Sequence, residues 1–108
     1  MPDDALVVLC TCPGDSVAAE IATGLLEDRL AACVTRVPGV KSWYHWEGQI
    51  QRDDEVLLVI KSTRDRYAAV EAQIRKLHPY EVPEIIALPV AFGSAAYLDW
   101  VQESTKPA

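Results

Sequence analysis

Asparagine is absent from this chain, and methionine and phenylalanine occur once each among its 108 residues. Without asparagine, a small hydrolase that positions its water with that side-chain amide is excluded. No apolar run approaches the roughly 18 residues of a membrane span, because stretches 5–10 and 85–92 are short and the second holds Pro89. Basic residues are few: ten Lys and Arg face sixteen Asp and Glu, giving a formal net charge of −6. The longest basic cluster is Arg75-Lys76, so no nucleic-acid partner is expected. A glycine-rich phosphate loop, H-E-x-x-H and paired C-x-x-C are missing as well, which removes P-loop, zincin and structural-zinc chemistry. Three cysteines cannot all pair within one chain, and Met-Pro-Asp-Asp is acidic where a secretory signal is basic. Reduced thiols and a cytoplasmic location are therefore expected, with no membrane association.

What is present has room for one domain over residues 1–108, with a single core. Leu6-Val7-Val8-Leu9-Cys10 is apolar on both parities, the pattern of a strand covered on two faces. After Pro13-Gly14, Asp15 or Ser16 is the expected N-cap of a helix carrying Val17, Ile21 and Leu25. Gly24 within it costs up to about 1 kcal/mol relative to Ala unless close packing requires it. A long strand over 33–46 is interrupted by Pro38-Gly39, which suits a bulge, and Glu47-Gly48-Gln49 reads as a hairpin turn. The return strand is expected over 55–61, followed by a helix capped near Thr63 or Asp65 with Tyr67, Val70, Ile74 and Leu77 on one stripe.

Three prolines bracket the last strand. In His78-Pro79-Tyr80-Glu81-Val82-Pro83-Glu84-Ile85-Ile86-Ala87-Leu88-Pro89, Pro79 ends the helix and an extended segment is confined to 84–88. A short helix over 94–103 follows, carrying Ala96, Tyr97, Trp100 and Val101. The order βαββαβ is that of the ferredoxin-like α+β fold, an antiparallel sheet with both helices on one face, here with an added C-terminal helix. Apolar residues on both parities leave the other sheet face requiring cover from another chain.

The proline-bracketed run, with Leu30-Ala31-Ala32-Cys33-Val34, Trp43-Tyr44-His45-Trp46-Glu47-Gly48 and Tyr97-Leu98-Asp99-Trp100, closely resembles the CutA family of divalent-cation-tolerance proteins, over roughly residues 6–103. The resemblance implies a non-enzymatic homotrimer of PII-like architecture, with sheets packed around a threefold axis. It also implies low-affinity copper binding, a part in the response to divalent metal ions, and ligands at Cys10 and His78. A nitrogen-regulatory PII-like trimer sensing a small effector between subunits is the alternative.

Each candidate has a plainer counterpart. Cys10 and Cys12 form a C-x-C pair whose sulfurs period two aims to one side, yet a buried cysteine is commonly a small hydrophobe. Thiolate with imidazole suits copper, since soft sulfur selects Cu(I). Two donors are too few, and water, a neighbouring chain or another side chain such as Cys12 must add to them. The plainer reading of His78 is a cap on the helix it ends. His45 reads as a strand-surface or interface residue, and Cys33 as core. Glu47, Lys61, Glu81 and Glu84 lie near strand ends and turns and form a candidate inter-subunit cleft. Ion pairing at subunit seams accounts for them better than acid–base catalysis, because nothing in their spacing singles out a nucleophile with its base.

Overall fold

The computed structural model describes residues 4–107. Strand β1 (Ala5–Cys12) leads into helix α1 (Asp15–Glu27). A long hairpin of β2 (Cys33–Trp46) and β3 (Gln49–Thr63) follows, then α2 (Arg64–Leu77), β4 (Ile86–Pro89) and α3 (Ala95–Ser104). The sheet order is β2-β3-β1-β4, with every pairing antiparallel. This is the ferredoxin-like α+β arrangement.

Register assigns the two faces. Val8, Cys10 and Cys12 of β1 sit beside Val56, Leu58 and Ile60 of β3, and they form one buried cluster with Ala18, Ile21 and Leu25 of α1 and Val70 and Ile74 of α2. Both helices thus cover one face. Each fully buried aliphatic side chain there contributes about 1.5–3 kcal/mol relative to exposure. Gly24 is explained by helix packing: a Cβ there would meet Gln73 Nε2 at 3.0 Å and Leu77 Cδ1 at 3.3 Å, so its absence lets α1 approach α2. On the other face Val7, Leu9, Leu57 and Val59 are half-buried, and Ile86 and Leu88 of β4 are 51% exposed.

The sheet departs from the expected bounds in instructive places. The Pro38-Gly39 interruption is a register shift between Val37 and Val40, with Gly39 at φ 72°. Glu47 (φ 51°) and Gly48 (φ 78°) join the strands as a two-residue loop with both φ values positive, as in a type I′ turn. Asn-Gly is the usual choice there, and Glu takes the place of the asparagine that this chain lacks. The return strand begins at Gln49, not residue 55, because the polar stretch before Val56 still pairs with β2. β4 begins at Ile86 instead of Glu84, since the bend over residues 80–82 and the irregular segment 83–85 delay pairing with β1 until Leu9↔Ile86.

Helix α1 starts at Asp15 with Gly14 as N-cap, so neither Asp15 nor Ser16 caps it. Thr63 is the N-cap position of α2, as expected. In α3, Ser94 Oγ accepts from the Tyr97 N–H, and the buried residues are Leu98 and Val101. Tyr97 and Trp100 are exposed. Cys33 is not core either: register with Lys61 puts it on the helix-free face, its sulfur 4.0 Å from Lys61 Nζ.

Candidate functional site

The C-x-C spacing does what period two dictates, turning Cys10 and Cys12 to the helix side at the end of β1. His78 reaches the same point from the opposite direction. Pro79 disfavours the helical region for the residue before it, and His78 is accordingly extended (ψ 135°) at the C-cap of α2. The sulfurs of Cys10 and Cys12 and a ring nitrogen of His78 lie within 4.8 Å of one another, and all three residues are buried. Among the described residues this is the one group of three or more His, Cys, Asp or Glu with such convergence.

Hydrogen bonds define the imidazole. The Tyr80 backbone N–H donates to His78 Nδ1 at 3.2 Å, so Nδ1 is an acceptor and Nε2 carries the proton that it donates to the Thr11 carbonyl at 2.8 Å. The Tyr80 ring packs at 4.6 Å from that of His78. Between the thiols, Cys10 is pushed up by its hydrogen bond to Cys12, by burial, and by the negative charge of Cys12, Glu84 and Glu55. Cys12 is pushed down by its interaction with the neighbouring Cys10 thiol, against burial and the charge of Glu55. One proton is therefore held on Cys10 beside a more readily ionised Cys12.

These three donors fit a soft metal ion. Two sulfurs each about 2.3 Å from an ion stand at most about 4.6 Å apart, and the three donor atoms here all lie within 4.8 Å of one another. Coordination through His78 requires that one ring nitrogen give up its hydrogen bond, a net loss of about 1 kcal/mol. Cys12, which spacing alone does not attach to His78, stands beside both proposed ligands.

A cleft of about 670 Å³ opens on the other side of Thr11, where the outer part of the β2–β3 hairpin faces residues 80–84. Trp43, Tyr44, Trp46 and Tyr80 contribute to its walls, with Glu55, Glu81 and Glu84. Glu55 is 6% exposed, and its Oε2 accepts from the Tyr80 hydroxyl at 3.0 Å. Burial and this bond push the Tyr80 phenol up, so it stays protonated near neutral pH. The Tyr44 hydroxyl likewise donates to Asp53 and is pushed up by that carboxylate.

Of the four residues expected to share a cleft, one chain brings together Glu81 and Glu84. Glu47 sits exposed at the hairpin turn. Lys61 lies six positions along β3 from Glu55, about 20 Å away at strand rise, and donates to Thr35 Oγ1 at 2.9 Å. His45 is exposed and outside the Cys10–Cys12–His78 group. Sequence reasoning missed Glu55 and Tyr80. The signal for Glu55 was a carboxylate opening the apolar run 56–60, and that for Tyr80 was an aromatic residue two positions after His78.

The comparisons agree with this architecture. Residues 6–104 match the family model described as CutA1 divalent ion tolerance protein. The divalent-cation tolerance protein CutA of Thermus thermophilus is 50% identical over 99 residues, spanning 92% of this chain and 96% of that one. A solved structure of the Thermus thermophilus protein superposes with a TM-score of 0.92, covering 94% of this chain and 99% of its own. One from Archaeoglobus fulgidus, described as a periplasmic divalent cation tolerance protein, gives 0.91 at 34% identity, covering 94% and 99%. The chain belongs to the CutA1 divalent ion tolerance family.

Proposed function

We propose that this protein is a non-enzymatic, cytoplasmic homotrimer that binds copper with low affinity through Cys10 and His78, with Cys12 as a third donor, and takes part in the response to metal ions. The observation that carries this reading is the convergence of two thiols and an imidazole within 4.8 Å. Such a donor set favours soft ions, Cu(I) above all, over the oxygen-seeking Mg²⁺ and Ca²⁺. Free cysteines suit a reducing compartment. The exposed Ile86 and Leu88 beside Val7, Leu9, Leu57 and Val59 favour cover by further copies of the chain. Against catalysis, the buried carboxylate Glu55 is engaged by Tyr80, and Lys61 is remote from Glu81 and Glu84.

The test is a competitive Cu(I) titration under reducing conditions. Cys10→Ser and His78→Ala should each weaken binding at least about tenfold with the assembly intact. Affinities equal to the unsubstituted protein would leave Cys10 as core and His78 as a cap. Light scattering should give three times the chain mass, and Val59→Asp should lower it; a soluble monomer before substitution would refute the trimer. A second reading, a PII-like effector-sensing trimer, is favoured by the 670 Å³ cleft. A thermal-shift screen separates the two, because a ligand of the folded state raises its apparent stability.

A further inference from the structure

We propose that the cleft beneath the hairpin binds a small organic cation bearing an ammonium or guanidinium group. This rests on the second reading above, in which the cleft takes a ligand, and it specifies the charge of that ligand. A volume of about 670 Å³ falls within the range of small-molecule sites, and a single metal ion would leave most of it unfilled. Trp43, Tyr44, Trp46 and Tyr80 line the cleft, and strand alternation puts Tyr44 and Trp46 on the same face of the hairpin as Glu55. Ring faces attract cations through their quadrupole, and tryptophan does so best.

The carboxylates independently fix the sign. Glu55, Glu81 and Glu84 line the same space, and none of the described lining residues is Lys, Arg or His. Glu55 is the decisive one. It is held at 6% exposure by a neutral phenol, whose hydrogen bond solvates the carboxylate without cancelling its charge. A carboxylate withdrawn from water in this way gains most from a cation brought alongside it. A phosphate or dicarboxylate entering the same space would meet three like charges and no counter-ion from the lining.

Tetramethylammonium, whose methyl protons give one sharp signal, is the probe, read by saturation-transfer NMR on the purified protein. It should bind saturably, and sodium chloride at equal ionic strength should not displace it. Trp46→Ala and Glu84→Gln should each weaken binding at least about threefold. Both side chains are exposed, so circular dichroism and thermal melting should match the unsubstituted protein. Saturable binding of ATP or succinate without tetramethylammonium would overturn the proposal and leave an effector-binding cleft. No binding of any probe would remove both readings. No binding together with a changed assembly mass in Trp46→Ala would assign the cleft to a neighbouring copy of the chain, which also overturns it.

Discussion

Val56 and Ile50 lie on the same strand, yet Val56 is 7% exposed and Ile50 72%. The inner half of β3 pairs with β1 and β2 together and has α1 and α2 against one face. Its outer half pairs with β2 alone, in a ribbon bearing exposed Trp43, Trp46 and Ile50. An isolated two-stranded ribbon is marginal in water. The inner half thus owes its order to the core, whereas the outer half presents large apolar side chains that its own chain does not cover. The two candidate sites lie where these halves meet, the thiol–imidazole group on the helix side and the aromatic cleft on the other.

The sharpest way to break this contrast is to place the same charge in both halves. Leu58→Asp puts a carboxylate into the buried cluster and should cost more than about 4 kcal/mol, so that no folded protein is recovered. Ile50→Asp, at a position 72% exposed, should still give folded protein. Comparable destabilisation by the two would mean that the halves are not distinct.

A smaller effect concerns the thiol pair. Cys12→Ser should weaken Cu(I) binding about tenfold, because it removes a soft donor from a site that has few. The proton held on Cys10 must leave when a metal binds there, so affinity should rise with pH, by roughly one decade per unit for each proton expelled. Affinity that stays flat between about pH 6 and 8 would count against Cys10 as a ligand.

The smallest effect lies at the cleft. The Tyr80 phenol is raised by burial first and by Glu55 second, so its contribution is complete below its unfolded value of about 10 and is lost as pH rises through the higher folded value. Denaturant midpoints should therefore fall above about pH 10, and Tyr80→Phe should flatten that alkaline limb. An unchanged limb would place the loss elsewhere.

Much of the fold was legible because its determinants are local. Pro38-Gly39, Glu47-Gly48 and His78-Pro79 mark a bulge, a turn and a helix end by backbone geometry that no distant contact needs to supply. Polar stretch 49–55 hid the outer half of β3, since its pairing with β2 follows from the turn and not from an apolar pattern. The last helix was legible, but aromatic residues on a short helix do not reveal which side faces the sheet, and Leu98 and Val101 are the buried ones. At the site, Cys10 and His78 came from the family resemblance, and period two put Cys12 on the side of Cys10. What no spacing could give was the orientation of the imidazole, which depends on the Thr11 carbonyl and the Tyr80 amide from two separate segments.

The sheet's connectivity also sets an order of assembly. β2 and β3 meet across a two-residue loop, so their ladder closes over the shortest path in the chain, on the microsecond scale of hairpins. β1, by contrast, pairs on one side with β4, joining Leu6 to Pro89 from nearly opposite ends of the sequence. Such distant pairing must overcome loop-closure entropy before its contacts repay it. The aromatic hairpin is accordingly an early structure and β4 a late one. During that interval Val7 and Leu9 lie on an unpaired sheet edge, which makes the docking of β4 the step at which a folding chain is most exposed to association with its neighbours.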